Sequence, residues 1–380
     1  MPPGTHCIYT EVSVPTRLYK GMSRSARQWT TRENASIMGS SKPFSSSRRR
    51  MLRNTVALSA SSPFTAMAQS AGAVRRIGYL SLETPGSESS TNQQRLLRGA
   101  LAKLRLEDGV NLAIEWRFAS GATARLPELA KELVRSRVEL IIAAFNQSIV
   151  AASAATTTIP IIMFGALVPV ELGLADSLAR PGRNLTGTTY FAPETTGKLL
   201  ELLKEARPGI QKVAVLTNPE VPGKPFYQPM YHRAADALGL SLLFFEVARP
   251  GEITSALQRI AASRSDALYI VGDSVINPSM PAIASFAVEH GLVSIGTALV
   301  HVRQGSLLYY GPDFPNMVDR VALYVARVLG GARPGELPIE EPTRYELVIN
   351  LKTARALGIT ISPVLRARAN RFLEASQQRP

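Results

Sequence analysis

Cysteine is almost missing from this chain. Of 380 residues only Cys7 carries a thiol, and it lies in an N-terminal stretch set apart by its composition. Past that stretch the sequence offers no disulfide, no thiol nucleophile and no thiolate metal site. Histidine is nearly as scarce. His232, His290 and His301 follow the leader, and no clustered metal-ligand spacing or nucleophile–base pair joins them. His290 precedes Gly291 at an apparent helix end, where capping suffices as its role. Walker A, G-x-S-x-G, HExxH and Gly-rich dinucleotide fingerprints are absent. After residue 70 no apolar run approaches the ~18 residues of a membrane span. A hydrolase or isomerase therefore lacks its machinery here, and no cofactor or metal is expected.

Acidic residues are also in deficit, with 29 Asp/Glu against 43 Lys/Arg and a net charge of +14. The excess is uneven. Residues 1–68 hold ten basic and two acidic residues, and the remainder, with 33 and 27, is only mildly basic. That balance does not describe a polyanion binder, so no nucleic-acid partner is expected.

Residues 1–37 show no hydrophobic periodicity, and Met38 is a candidate start. Ser47-Arg48-Arg49-Arg50-Met51-Leu52-Arg53 resembles a twin-arginine export signal, with Met51 replacing the usual aromatic and Arg53 the usual lysine. A weakly apolar segment (55–64) and the A-x-A-type site Ala66-Met67-Ala68 follow. Residues 1–68 thus read as an export leader, served by the twin-arginine or the general secretory route. The expected destination is the periplasm, without a lipid anchor. The plainer alternative is a basic tail.

The rest divides into two blocks of one plan. In the first, strands at 76–81, 112–117, 140–145 and 159–164 alternate with helices at 93–104, 126–136 and 149–155, and a polar loop spans 83–92. In the second, a helix at 196–206 precedes strands at 212–217, 241–247, 267–271 and 293–295. Helices at 230–238, 253–263 and 281–290 lie between those strands. Apolar strands alternating with helices over short connections signal parallel sheets covered on both faces. Between the blocks lies 180–192 (RPGRNLTGTTYFA), a Pro-Gly turn followed by a Thr-rich strand, which reads as a hinge. The extended segment 306–310 reads as a second crossing, with a helix at 317–329 after it. A third crossing follows the Pro/Gly-rich linker 330–342, before a late strand at 345–350. The fold expected is α/β, two doubly wound parallel-sheet lobes on a three-crossing hinge. Residues 75–187 plus 312–333 would form the N-terminal lobe, and 190–309 plus 340–375 the C-terminal one.

In such sheets ligands bind beyond the carboxyl ends of the strands. Ser81, Asn146, Gln147 and Phe164 stand there in the first block, and Asn218, Asp273 and Thr297 in the second. The Asp273 carboxylate suits a ligand ammonium group, or else caps a turn. The hydroxyls and amides suit a ligand carboxylate alongside helix-start N–H groups, or serve as caps. Tyr190 and Tyr310, at two crossings, would wall an apolar or aromatic ligand, or pack the hinge.

Residues 75–375 also resemble a known family, on five segments in order. These are Leu126-Pro127-Glu128-Leu129-Ala130-Lys131-Glu132-Leu133, Ala155-Thr156-Thr157-Thr158-Ile159-Pro160-Ile161, Ser177 to Gly187 (SLARPGRNLTG), Gly197 to Lys204 (GKLLELLK) and Tyr345 to Ala354 (YELVINLKTA). The family is the ABC-transporter substrate-binding proteins of the tryptophan/tyrosine-uptake type, with the type I periplasmic-binding fold. The resemblance implies a monomeric receptor that captures a small solute, an amino acid or small aromatic or organic acid, between its lobes. It would deliver that solute to a membrane permease driven by a separate ATPase, without chemistry of its own. One departure stands out: where members often carry Gly-Asp-Pro, this chain has Leu167-Val168-Pro169. The alternative function is an extracytoplasmic ligand-sensing module of the same fold, partnering a membrane receptor. A lactose-repressor-type regulator would need a helix-turn-helix that residues 1–70 do not show.

Overall fold

The computed structural model describes residues 74–190 and 195–374. The export-leader reading of 1–68 lies outside them, as do Phe191 and Ala192 of the hinge segment.

The first sheet contains β1 (Arg75–Ser81), β2 (Leu112–Phe118), β3 (Leu140–Ala144), β4 (Ile161–Ala166) and β5 (Leu185–Thr189). All run parallel, in the order β2-β1-β3-β4-β5. Every residue of β3, β4 and β5 is buried, which is why β3 and β4 are continuously apolar rather than alternating; β5 instead buries three threonines. Neighbouring residues feed opposite faces: Ile141 and Ile161 join one core, Ile142 and Ile162 the other. Three helices come from this stretch, α1 (Glu88–Lys103), α2 (Leu126–Arg135) and α3 (Phe145–Ala155). The buried stripe of α2 is Leu126, Leu129, Ala130 and Leu133, one face of a 3.6-residue period. It lies so close to β1 that a Cβ at Gly78 would stand 2.9 Å from Leu133 Cδ2.

Two of the boundaries that differ from the sequence reading matter for the cleft. Helix α1 begins at Glu88, with the Ser87 hydroxyl accepting from the Ser90 amide at 3.2 Å. The expected polar loop is helix from residue 88 on because Ser90 and Gln93 are buried by tertiary contact. Strand β3 stops at Ala144 and α3 starts at once, so Asn146 and Gln147 occupy the first helical turn rather than a loop.

The second lobe continues with α4 (Thr195–Ala206), β6 (Lys212–Thr217), α5 (Lys224–Ala237), β7 (Ser241–Glu246), α6 (Ile253–Ser263), β8 (Ala267–Ile270), α7 (Met280–Glu289), β9 (Val293–Gly296), α8 (Leu299–Arg303) and β10 (Leu308–Pro312). Its parallel strands run β7-β6-β8-β9-β10, the same permutation as in the first sheet. Helix α5 starts six residues before the expected position and contains Pro229. Its Tyr231, packed in the core, holds the helix despite the missing amide. His290 ends α7, and its Nδ1 lies 3.0 Å from the Phe286 carbonyl, a capping contact.

After β10 the chain returns to the first lobe as α9 (Phe314–Leu329). Met317, Val321, Tyr324 and Val325 of α9 share one core with Ile77, Tyr79 and Leu97. Residues 337–344 lead back to β11 (Tyr345–Asn350), which pairs antiparallel with β10. Then α10 (Leu351–Ala356), α11 (Pro363–Arg368) and β12 (Arg371–Leu373) complete the second sheet, β12 parallel to β11. The protein is thus α/β, with two doubly wound lobes and three crossings. Two crossings are tied together, the Asp313 amide donating to the Arg344 carbonyl at 2.9 Å.

Candidate functional site

Each sheet reverses its strand order beside its first strand, between β1 and β3 and between β6 and β8. Such switch points open crevices at the carboxyl ends of strands. The two crevices face each other across a cavity of about 280 Å³, near the lower end of ligand-pocket volumes. The lobes also meet directly: the Tyr190 hydroxyl donates to the Thr297 carbonyl at 2.8 Å. An Arg303–Glu88 ion pair at 3.4 Å spans the rim.

Seven of the nine residues singled out from the sequence line this cavity: Ser81, Asn146, Gln147, Tyr190, Asn218, Asp273 and Thr297. Their hydrogen bonds separate them. Asn218 donates to an Asp273 carboxylate oxygen and accepts from the Glu220 amide at 2.8 Å. Asp273 Oδ1 also accepts the amides of Val275 and Ile276, each at 2.9 Å. It therefore holds a turn and faces the cleft at once. Thr297 Oγ1 accepts the Gly272 amide at 2.9 Å, and Ser81 Oγ accepts the Glu83 amide at 3.2 Å. Gln147 differs, since its buried Nε2 has no hydrogen-bond partner.

Asn146 acts as a clamp. Its side chain accepts the Leu167 amide at 2.7 Å and donates to the carbonyls of Leu167 at 3.1 Å and Pro222 at 2.8 Å. One amide thus ties a first-lobe loop to a second-lobe loop.

Phe164 and Tyr310 do not line the cavity. Phe164 is fully buried behind it, with its ring 6.0 Å from Phe145 and 5.3 Å from Phe314. Phe145 and Phe314 are the rings that reach the cleft. Phe145 does so from a left-handed backbone (φ 61°) at the β3–α3 junction, a strained conformation typical of functional sites. Tyr310 stacks on Tyr345 at 5.5 Å and joins the second-lobe core, whereas Tyr309 reaches the cavity. Successive strand residues point to opposite faces, so one position decides which tyrosine serves the cleft.

Glu83 was not among the expected residues. It sits two positions past β1, is 8% exposed, and lines the cavity. A relay supports it: Tyr79 donates to Gln93 at 2.6 Å, Gln93 to Ser89 at 3.2 Å, and Ser89 to Glu83 at 3.2 Å. Burial pushes the Glu83 carboxyl upward, the Ser89 bond opposes this, and the Asp273 charge adds to the rise. Burial likewise raises Asp273, against its backbone and Asn218 hydrogen bonds. The available sequence signal was an acid just beyond the first strand end.

Beneath the second-lobe side lies His301, fully buried, its Nε2 2.8 Å from Asn277 Oδ1. Burial lowers its pKa to about 3, so the ring is neutral. Glycine lets the strand ends approach it: a Cβ at Gly272 or Gly296 would fall 2.5 or 2.3 Å from ring atoms. Among the described residues no group of three or more His, Cys, Asp or Glu side chains is placed to hold a metal, and no helix is long and apolar enough to cross a membrane.

A family model described as ABC transporter substrate binding protein matches residues 87–372. The chain belongs to that family. A curated relative, the tyrosine-binding protein of Clostridioides difficile, is 29% identical over 260 residues, covering 68% of this chain and 74% of its own. The crystal structure of a Streptococcus pneumoniae ABC domain in complex with L-Trp superposes with a TM-score of 0.73 at 23% identity, covering 79% of this chain and 99% of that one. A conserved domain protein from Vibrio cholerae gives 0.74 at 26% identity, over 79% and 100%. The two-lobed architecture is the type I periplasmic-binding fold.

In this substrate-binding protein the segment that departs from the family pattern, Leu167-Val168-Pro169, meets the other lobe through backbone and methyl groups. Val168 adopts a left-handed conformation (φ 44°). Its Cγ2 would lie 2.6 Å from a Cβ at Gly223. Glycine at 223, itself at φ 96°, is what allows the approach.

Proposed function

We propose that the protein is the extracytoplasmic receptor of an ABC importer, and that it captures a small amino-acid-like or aromatic solute between its lobes. The carrying observation is the pair of facing switch-point crevices around one cavity, with polar groups and rings from both lobes. The tyrosine-binding relative and the L-Trp complex support the solute class. Ser81, Gln147, Asn218, Asp273, Thr297 and Tyr190 would contact the solute, and Asn146 would secure the closed pose. The protein would perform no chemistry. It would work as a monomer that hands solute to a permease and ATPase after export to the periplasm.

Such a receptor works only if the solute favours the closed state, by as much as its differential affinity for the two states allows. Pro312–Phe314 and 340–345 would serve in the hinge, favouring one opening motion. A thermal-shift screen of the purified protein against amino acids, aromatic acids, amines and short carboxylates tests capture. A ligand at 100 times its dissociation constant adds about 2.7 kcal/mol of stability. A flat screen across all four classes removes the receptor reading. Recovery of the processed protein in the cytoplasm alone removes the delivery step.

A further inference from the structure

We infer that the preferred solute is an aromatic organic cation, an amine without a carboxylate, whose nitrogen lies between Glu83 of the first lobe and Asp273 of the second. The inference rests on the cleft being a solute site, and it narrows the class of solute.

The charges that line the cavity support it. Arg303 pairs with Glu88, and Arg371 pairs with Glu346. Arg95 is exposed at the rim and donates to Asn92 at 2.8 Å. Among the described residues, what remains inward is Glu83 and Asp273, with no buried cation lining the cavity beside them. Glu83 feels the second lobe: burial raises its carboxyl, and the Asp273 charge adds to the rise. Bringing the lobes together therefore sets like charge against like charge. A cation between them reverses the sign of that interaction, so the ligand itself makes closure favourable.

Gln147 is an independent sign of a ligand. It is 7% exposed, lines the cavity, and leaves Nε2 without a partner. A buried amide donor is costly unless met by an acceptor, such as a phenolic or hydroxyl oxygen on the solute. Phe145, Phe314 and Tyr190 supply the wall for an aromatic body. A zwitterionic amino acid would add a carboxylate to a cleft that already holds two. The first turn of α3 is the feature that favours such a carboxylate, and it defines the opposing outcome.

Isothermal titration of the purified protein with tyramine, L-tyrosine and 3-(4-hydroxyphenyl)propionate separates the cases. The three share a phenol and differ in charge. Tyramine is expected to bind at least about tenfold more tightly than tyrosine, and the propionate most weakly. Glu83→Gln, which keeps the shape, should weaken tyramine about tenfold and narrow its advantage over the propionate. If that variant fails to fold, Asp273→Asn provides the same comparison. Tyrosine binding as tightly as tyramine, or tyramine affinity unchanged in the variant, overturns the cation assignment while leaving the solute site in place. No binding by these three, together with a flat general screen, overturns both.

Discussion

The two lobes share a strand permutation and differ in what they bring to the cleft. The second lobe presents polar groups already bound to one another: Asn218 to Asp273, and Thr297 to the Gly272 amide. The first presents most of the rings, one acid on a side-chain relay, and a glutamine amide without a partner. Shared topology therefore places the site but does not set its chemistry. The second lobe is pre-organised by its own hydrogen bonds. The first lobe keeps donor capacity and apolar surface for whatever enters.

The sharpest way to break the comparison is through glycine. Gly187, on β5 of the first lobe, has φ 135°, and a Cβ there would lie 2.1 Å from the Met163 carbonyl oxygen. Backbone meets backbone, so Gly187→Ala should cost about 3 kcal/mol or more in urea unfolding. At Gly296 in the second lobe the obstacle is the His301 side chain, so Gly296→Ala should cost only about 1–3 kcal/mol. Equal losses would erase the distinction.

Next in size is the aromatic wall. Phe145→Ala should weaken an aromatic ligand by about 2 kcal/mol in titration calorimetry, whereas Phe145→Leu should retain part of that. An unchanged affinity would confine Phe145 to a structural role.

A pH series sharpens the contrast between the cleft and the layer beneath it. His301 has a folded pKa of about 3 against an ordinary 6.5. Its neutral form is the one the fold accepts. Its contribution is whole above pH 6.5 and is lost as pH falls towards 3, by up to about 1.4 kcal/mol per pH unit. Glu83 and Asp273, both raised, act in the opposite sense, because their burial penalty fades as they protonate. His301→Gln should flatten the acid limb of the melting-temperature profile, and Glu83→Gln should steepen it.

The smallest expected effect belongs to the clamp. Asn146→Ala removes the link from Leu167 to Pro222, and should reduce affinity by about 1 kcal/mol with little change in which ligands bind. A change in ligand preference would instead make Asn146 a contact residue.

Much of this was legible in the chain. LIIAA and IIMFGA announce doubly buried strands, and the 126–133 stripe announces a helix on a sheet, because periods of two and 3.6 residues are local properties. Strand ends follow from strands, so seven of the residues expected beyond them line the cavity. The differences lay where a distant neighbour decides. The start of α1 depended on burial of Ser90 and Gln93, and the exchange of Tyr310 for Tyr309 on the orientation of one strand.

By itself, then, the sequence determined two copies of one α/β plan, their crossings, and the positions of the strand-end loops. These rest on patterns within a few residues. Only the tertiary structure decided that Glu83 and Asp273 line one cavity, that Asn146 clamps two loops, and that Gln147 keeps a free donor. Those facts depend on how far one lobe has turned towards the other. That is a property of tertiary contact and burial, and no local pattern encodes it.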